Sequence, residues 1–333
     1  MKPINGSNLK QGYNIYPFLF GRNAIHAAAL YLKETHNSIS VPAYICGDVI
    51  EAIASSGLKV KFYDVLFDPT HEEFRAISKI DDKIPLLIVN YFGMKFALAT
   101  GVKPTIVDNA FSFKLTPESE ADFIIYSLRK QLPTPNGALL LSRPKINIRL
   151  LQTPANVIDM DDANYLNYLH GKKQGSSHHP GLSEENIYGP RYAEFGGYSL
   201  TKPVKMPSKN ALNIRSASIK KQFQQVLSLL ERYGLSGRLI IANAMRRQNV
   251  DIPTFLPIFV KKSVDTYDRI INSGIDFNKA IPFWANNSPW INMSTYPYTW
   301  KLKHCILVLS FIYPWDESDY IHLEELLKKE LII

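Results

Sequence analysis

The order of apolar and polar residues predicts helices and strands in alternation along the N-terminal part of the chain. An Ala-rich segment at residues 23–32 and a segment at residues 47–56, which Gly57 stops, are typical of helices. Strands are predicted at residues 38–41, 58–65, 85–91, 105–107, 123–126 and 138–141. Several of these are short, continuous apolar runs, which are typical of strands buried on both faces. Strands separated by helices predict a mostly parallel sheet with right-handed crossovers.

The pattern changes after the last of these strands. Residues 152–198 show little periodicity, which in a compact protein is typical of a functional lid or of a disordered segment. Beyond Pro207, the spacing predicts a helix with five apolar residues on one face: Ile219, Phe223, Val226, Leu227 and Leu230. The remaining elements are predicted as a strand at 257–260, a helix ending near Gly274, a strand at 306–311 and a final helix at 320–327.

Length and composition agree with two domains. The chain has 333 residues, of which 46% are hydrophobic and 20% charged, enough to bury a core without disulfides or metals. We predict a large α/β domain at residues 15–200, with residues 152–198 as its loop or lid, and a small α+β domain at residues 201–333.

Charge and cysteine content narrow the binding partners and the cellular compartment that we expect for this chain. The net charge is +8, but the basic residues occur in pairs spread through the chain, which disfavours a nucleic-acid surface. A basic cleft for a phosphorylated ligand is consistent with the same charge. The two cysteines, Cys46 and Cys305, form neither a disulfide framework nor a metal cage, which favours a reducing compartment. No apolar run approaches the ~20 residues of a membrane span, and no secretory signal is visible, so we expect a cytoplasmic protein without a membrane partner.

Chemically notable side chains follow two of the predicted strands and open one of the predicted helices. Asp108 directly follows one buried apolar strand, and residues 127–130, which include a hydroxyl group and two cations, follow another. Gly21 opens a helix whose first N–H groups and dipole could hold a phosphate. In an open α/β sheet, ligands bind beyond the carboxyl ends of the strands, so these groups are candidates for one site.

These groups are the parts that a pyridoxal phosphate site requires. A lysine forms a Schiff base with the cofactor, an acid keeps its ring nitrogen protonated, and a helix start binds its phosphate. Taken alone, Lys130 could be a solvated surface charge and Asp108 could cap the following segment. The 22 positions between them (130 − 108) span one β-α-β step, which favours the cofactor interpretation over both.

The sequence resembles the pyridoxal-phosphate sugar aminotransferases of the DegT/DnrJ/StrS type, within the fold-type-I aspartate aminotransferase superfamily. The resemblance runs from about residue 21 to residue 142 and more loosely to the C-terminus. It rests on residues 40–44 (SVPAY), 60–65 (VKFYDV), 89–93 (VNYFG), 107–110 (VDNA) and 127–130 (SLRK), with Gly137 seven positions after Lys130. It implies a three-layer α/β fold with a mostly parallel sheet and a smaller C-terminal α+β domain, and it implies a homodimer.

The resemblance also assigns roles to single residues. Lys130 matches the family's Schiff-base lysine and Asp108 the partner of the pyridine nitrogen, so both are predicted to be catalytic. The predicted cofactor-binding residues are Lys130, Asp108, Ser127, Gly21, Arg22, Asn23, Ala24, Cys46 and Phe111, and no metal site is predicted. Cys46 stands where the family commonly has a residue that stacks on the cofactor, and Phe111 where it usually has Gln or His. Arg22 is compatible with a phosphate contact and with a surface ion pair.

The resemblance implies an aminotransferase that moves an amino group from an amino acid, glutamate in this family, to a keto group of a nucleotide-linked sugar. A sugar dehydratase with the same cofactor is one alternative, although the family's dehydratases replace the lysine with His. A degenerate member with a binding or scaffold role is another, motivated by Phe111, Cys46 and Asn23. A cysteine desulfurase is disfavoured because Cys305 lies in an apolar, strand-like run, and a Rossmann dehydrogenase because G-x-G-x-x-G is absent from the sequence.

Overall fold

The computed structural model describes residues 4–5, 13–18, 20–77, 80–98, 102–103, 105–112, 121–131, 137–146, 148, 209–250, 253–276, 279–282 and 292–329. The loop or lid predicted at residues 152–198 and the predicted domain boundary at residue 200 therefore lie outside the described residues.

Strands and helices alternate from residue 14 to residue 63 and again from residue 209 onwards, and between these parts the described residues form strands and short 3-10 turns. The strands are β1 (Ile4–Asn5), β2 (Asn14–Phe18), β3 (Ser38–Pro42), β4 (Lys59–Tyr63), β5 (Val65–Asp68), β6 (Glu73–Ala76), β7 (Leu87–Val89), β8 (Phe96–Ala97), β9 (Ile106–Asp108), β10 (Phe123–Ser127), β11 (Ala138–Ser142), β12 (Phe255–Phe259), β13 (Ala280–Pro282) and β14 (Ile306–Ser310). The helices are α1 (Gly21–Lys33), α2 (Gly47–Ser55), α3 (Lys209–Arg232), α4 (Ile240–Arg247), α5 (Ser263–Asn272), α6 (Pro297–Cys305) and α7 (Glu317–Lys328). Short 3-10 turns lie at Tyr91–Gly93, Leu128–Lys130 and Ser236–Arg238.

The large sheet is mostly parallel, as predicted. Strands β7, β9 and β10 pair in parallel, and so do β3 and β4. A parallel bridge between Ser40 and Leu86 joins the two groups. Strand β11 pairs antiparallel with both β10 and β2, and β1 pairs antiparallel with β2, which gives the order β4-β3-β7-β9-β10-β11-β2-β1. Among these eight described strands only β1 and β11 run against the others, and the three-layer arrangement stays a prediction.

The register of the central strands decides where the functional groups meet. Val89 of β7 lies opposite Asp108 of β9, and Asp108 lies opposite Ile125 of β10. Every residue of these three strands is buried, as expected for continuous apolar runs in a parallel sheet. The residues that follow the three strands therefore emerge at one edge of the sheet.

The C-terminal part forms a separate antiparallel sheet in the order β12-β14-β13. The apolar face predicted for α3 is confirmed, because its five apolar residues are all at most 1% exposed. Helix α5 ends just before Gly274, whose φ of +103° is readily adopted only by glycine. No helix in the described part of the chain is long and apolar enough to cross a membrane.

One predicted strand is in fact two strands, and a tertiary contact explains the division. The strand predicted at residues 58–65 is in fact β4 and β5, which lie on either side of Asp64. The Asp64 carboxylate accepts hydrogen bonds from the backbone N–H groups of Tyr298 (3.3 Å) and Thr299 (2.8 Å), so it caps the first turn of α6. The strand predicted at residues 306–311 is confirmed as β14, whereas Cys305, at the start of the same apolar run, is the last residue of α6.

Candidate active site

Asp108 and Lys130 lie at the same edge of the large sheet. Asp108 is the last residue of β9 and is 6% exposed. Lys130 ends the 3-10 turn that directly follows the neighbouring strand β10. The Lys130 amine lies against the loop after Asp108, since its Nζ atom is 4.3 Å from the centroid of the Phe111 ring, and its positive charge opposes the effect of burial on the pKa of Asp108. The structure thus brings the two predicted catalytic residues together.

The Asp108 carboxyl group is poorly solvated. Burial raises its pKa above the ordinary value of 3.8, while Lys130 and a hydrogen bond from the Ala110 backbone N–H (3.0 Å) oppose this rise. A carboxylate in such a place is stabilised by any further cationic or N–H group beside it. Asp108 is therefore suited to hold a protonated ring nitrogen.

Phe111 contacts the amine of Lys130. The Lys130 Nζ atom lies 4.3 Å from the centroid of the Phe111 ring, in the geometry of a cation–π interaction. Phe111 is itself 2% exposed, and its ring packs on those of Phe92 (6.1 Å between centroids) and Phe255 (5.5 Å). The Phe111 ring therefore covers one side of the Lys130 amine, and Phe92 and Phe255 pack against that ring.

The start of α1 lies directly beside the end of β10. A Cβ atom built on Gly21 would lie 3.8 Å from Cβ of Ser127, which is ordinary contact distance. Helix α1 begins without a side-chain cap, and the first N–H groups of any helix have no partner within the helix. Gly21 and Ser127 therefore lie side by side at an uncapped helix start, whereas Ala24 is fully buried in the core.

Asn23 adds a buried amide to this position. It is 3% exposed, and its Oδ1 atom has no hydrogen-bond partner among the described residues. A buried polar group without a partner costs stability in the folded chain. A phosphate at the start of α1 could accept from the Nδ2 atom of the same amide. The orphaned Oδ1 atom is an acceptor, so it calls for a donor on the ligand, and only the Nδ2 atom of this amide could bind an anion.

Arg22 forms an ion pair. Its Nη1 atom lies 2.9 Å from Oδ2 of Asp48, and its guanidinium lies 4.8 Å from the centroid of the Phe20 ring. Of the two alternatives that the sequence left open, the structure favours the ion pair. This contact joins the first turns of α1 and α2. Cys46 is half-buried and directly precedes α2, so it lies near the starts of both helices.

Two polar residues at this edge were not among the predicted site residues. Gln131 is buried, donates from Nε2 to the carbonyl oxygen of Ala110 (3.2 Å) and accepts from Thr254 Oγ1 (3.3 Å). It therefore connects the residue after Lys130 to the loop after Asp108 and to the start of β12. Only its position next to Lys130 could have indicated this role.

Asn90 is the second polar residue that was not predicted, and its position in the sequence could have indicated it. It directly follows the buried strand β7, just as other polar residues follow β9 and β10. Its Nδ2 atom donates to Asn109 Oδ1 (3.2 Å), and its own Oδ1 atom accepts from the Phe96 backbone N–H (3.0 Å). These bonds hold the loops that follow β7 and β9 against each other.

The arrangement has three chemical parts: a buried carboxylate, an amine beside it, and an uncapped helix start with a buried amide. A ligand that satisfies all three carries a protonated nitrogen, an electrophilic carbon and an anionic group. Among the residues that the structure describes, no group of His, Cys, Asp and Glu side chains could hold a metal ion.

No family model matches the sequence, and no curated protein matches it. Solved structures do match its fold. The pyridoxal phosphate form of a protein named as a sugar aminotransferase from Streptococcus pneumoniae is 13% identical, with a TM-score of 0.56 over 96% of this chain and 88% of that one. A protein named as an O-acetylhomoserine (thiol)-lyase from Campylobacter jejuni, solved with a pyridoxyl-lysine phosphate group, is 16% identical, with a TM-score of 0.53 over 97% and 83%.

A third solved structure is a DegT DnrJ EryC1 StrS aminotransferase from Brucella abortus. It is 12% identical, with a TM-score of 0.50 over 95% of this chain and 86% of that one. Each match extends over nearly the whole chain. At sequence identities this low, a match shows a similar backbone architecture. The chain therefore has the α/β fold of the fold-type-I enzymes.

Proposed function

We propose that this chain is a pyridoxal-phosphate-dependent aminotransferase. The observation that carries the proposal is the pairing of Asp108 and Lys130 at the carboxyl ends of adjacent parallel strands, within electrostatic reach of each other. The likeness of the fold to enzymes solved with pyridoxal phosphate supports it.

The residues present fit this cofactor. Asp108 would hold the protonated ring nitrogen, and Lys130 would hold the aldehyde carbon. Ser127, the Nδ2 atom of Asn23 and the uncapped start of α1 at Gly21 would bind the phosphate, and the uncapped helix start beside Ser127 is the observation that argues for an anion there. Pyridoxal phosphate, when bound, supplies an electron sink that stabilises negative charge at the α-carbon of an amino acid.

Lys130 would carry the proton that transamination requires. As an amine it would remove the proton from the α-carbon of the amino donor, and as an ammonium it would return a proton at the carbon that receives nitrogen. The Phe111 ring, which packs on Phe92 and Phe255, would cover one side of the amine. Gln131 would be a positioning residue, because it ties the backbone after Lys130 to the loop after Asp108.

The substrates follow from the sequence resemblance and remain part of the proposal. Glutamate would be the amino donor, and the acceptor would be a keto group on a nucleotide-linked sugar. The net charge of +8 agrees with a diphosphate-bearing substrate. We also propose a homodimer in the cytoplasm, with a large domain at residues 15–200 and a small one at residues 201–333. Retention of Lys130 argues against the dehydratase alternative.

A direct test is to fix the cofactor onto the protein. The purified chain is incubated with pyridoxal phosphate, reduced with borohydride, digested and mapped by mass spectrometry. We expect one pyridoxyl group per chain, on the peptide that contains Lys130. A protein without cofactor absorbance, or with the label on another lysine, contradicts the proposal. Labelling of Lys130 without turnover of any amino donor would support the binding or scaffold alternative.

Asn23 provides a second test. In Asn23→Leu, we expect the Kd for pyridoxal phosphate to rise about tenfold, or about 1.4 kcal/mol, because the phosphate loses a hydrogen bond. The cofactor-free variant should be no less stable than the wild type, since an unsatisfied buried amide is replaced by an apolar group of similar size. Absorbance titration measures the first quantity and urea unfolding the second.

Asn243→Leu is the matched control, because the Oδ1 atom of Asn243 in α4 is also buried without a hydrogen-bond partner among the described residues. It should leave the cofactor affinity unchanged. Equal cofactor affinity in Asn23→Leu and the wild type would remove Asn23 from the phosphate site.

A further inference from the structure

A second cleft lies between the β5–β6 hairpin and the C-terminal elements. Its volume is about 890 Å³, which is within the range of sites for small organic ligands. Its walls are β5 with the turn that follows it, the 3-10 turn before α4, the end of β12, and α6. No predicted site residue lines it.

The cleft is separate from the site around Lys130. Strand β12 connects the two places: Phe255 at its start packs on Phe111, whereas Phe259 at its end lines the cleft. Four residues of strand correspond to about 13 Å. A ligand in the cleft would therefore not contact Lys130 or Asp108.

The cleft carries excess positive charge. Arg238, Lys261 and Lys301 line it, and none of the three forms an ion pair with any residue in the described ranges. The three cations line the same cleft together with Cys305, so they face a common space.

The acidic residue in the cleft does not compensate these cations. Asp68 forms an ion pair with Arg75 (2.7 Å between Oδ2 and Nη2) and a hydrogen bond with His71 (2.9 Å). The hydrogen bond with His71 is the main cause that lowers the pKa of Asp68 to about 2, so this carboxylate is ionised at neutral pH. Its charge is matched by Arg75, and three cations remain for a ligand.

The rest of the lining is largely apolar and aromatic. Leu66, Phe67, Phe259 and Leu302 contribute apolar surface, and Tyr298 presents a ring that is 48% exposed. Cations around an apolar floor suit a molecule that joins an anionic group to a planar or aliphatic body.

Two contacts hold the walls in place. Asp64, just before β5, caps α6 through the Thr299 backbone N–H. At the hairpin turn, Glu72 accepts from Arg247 Nε (2.8 Å) through its carboxylate and from Gln248 Nε2 (2.6 Å) through its carbonyl oxygen. The cleft is therefore formed without a ligand, which lowers the entropic cost of binding.

We propose that this cleft binds a small organic anion that carries phosphate on an aromatic or aliphatic body, with Arg238, Lys261 and Lys301 as the phosphate-binding residues. The ligand would bridge the β5–β6 hairpin and the C-terminal part of the chain. This site is additional to the proposed aminotransferase site and does not depend on it.

Fluorescence titration of the full chain with 8-anilinonaphthalene-1-sulfonate, an aromatic anion, tests the proposal, with inorganic pyrophosphate as competitor. We expect the wild type to bind the probe and pyrophosphate to displace it. Both should bind more weakly as the salt concentration is raised. The double variant Arg238→Glu, Lys301→Glu should weaken probe binding at least tenfold. Lys261→Glu is a single change at an exposed residue and should weaken probe binding severalfold. It keeps the proposal testable if the double variant does not fold.

Lys221→Glu is the matched control, since it makes the same charge change on the exposed side of α3. It should stay within twofold of the wild type. The proposal is overturned if the wild type does not bind the probe, if Lys221→Glu weakens binding as much as the cleft variants, or if Lys130→Ala removes it, which would place the probe at the other site.

Discussion

Replacing Lys130 by alanine is expected to lower kcat for transamination by about 10³- to 10⁴-fold, because the variant loses the group that carries the proton. Binding of pyridoxal phosphate should persist without a covalent bond, since the helix start and Asp108 remain. The measurement is the conversion of the pyridoxal form to the pyridoxamine form on addition of glutamate, followed by absorbance. A small added amine, such as methylamine, should restore part of the rate.

Lys95→Ala is the control for this change, because Lys95 is an exposed lysine in the same part of the chain. It should retain the wild-type rate. If Lys130→Ala kept more than a tenth of the wild-type rate, another base would have to move the proton, and the assignment of Lys130 would be wrong.

Replacing Asp108 by asparagine should have opposite effects on activity and on stability. We expect kcat to fall by about 10²- to 10³-fold, because the negative charge opposite the ring nitrogen is lost. In the cofactor-free chain, the same change should raise the free energy of unfolding by up to about 2 kcal/mol at neutral pH, since it removes a carboxylate that burial destabilises. Urea unfolding measures this gain.

The raised pKa of Asp108 also determines how the gain in the free energy of unfolding should depend on pH. Below the ordinary pKa of 3.8, Asp108 is protonated in both the folded and the unfolded chain, so wild type and variant should differ little. As pH rises from there through the raised pKa, the unfolded chain releases its proton first, and the folded wild type loses stability relative to the variant. The gain should therefore be larger at about pH 8 than at about pH 4. Equal gains at both pH values would show that burial of the charge is not the cause.

Asp122→Asn separates a general effect of charge removal from the effect of burial. Asp122 is 46% exposed and lies 3.3 Å from Arg143, so its pair is a surface one. Such pairs contribute little, and we expect a change within about 0.5 kcal/mol and no change in kcat.

Most elements of the central sheet could be predicted because each has its own local signal. The buried strands are continuous apolar runs, and the Ala-rich helix after Gly21 follows directly from its composition. The hairpin of β5 and β6 and the helix α6 could not be predicted in this way. Their boundaries depend on Asp64, whose carboxylate caps a helix more than two hundred positions away in the sequence.

The residues of the candidate site also divide into those that the sequence could indicate and those whose contacts only the structure shows. Asp108, Lys130 and Ser127 could be proposed from the sequence because each follows a buried strand, and parallel strands end at one edge of a sheet. The structure was needed to give Phe111 its contact with the Lys130 amine, Arg22 its partner Asp48, and Gln131 its two hydrogen bonds. Those contacts join side chains from different elements, and no spacing along the chain encodes them.

By itself, the sequence determined the order of the central elements, the polar residues at the ends of the buried strands and the helix start that suits an anion. These properties follow from burial and from backbone geometry within single segments. Only the tertiary structure decided which cations stay unpaired and which walls enclose the second cleft. Charge pairing and enclosure depend on distances between segments that are far apart in the chain, and the fold alone sets those distances.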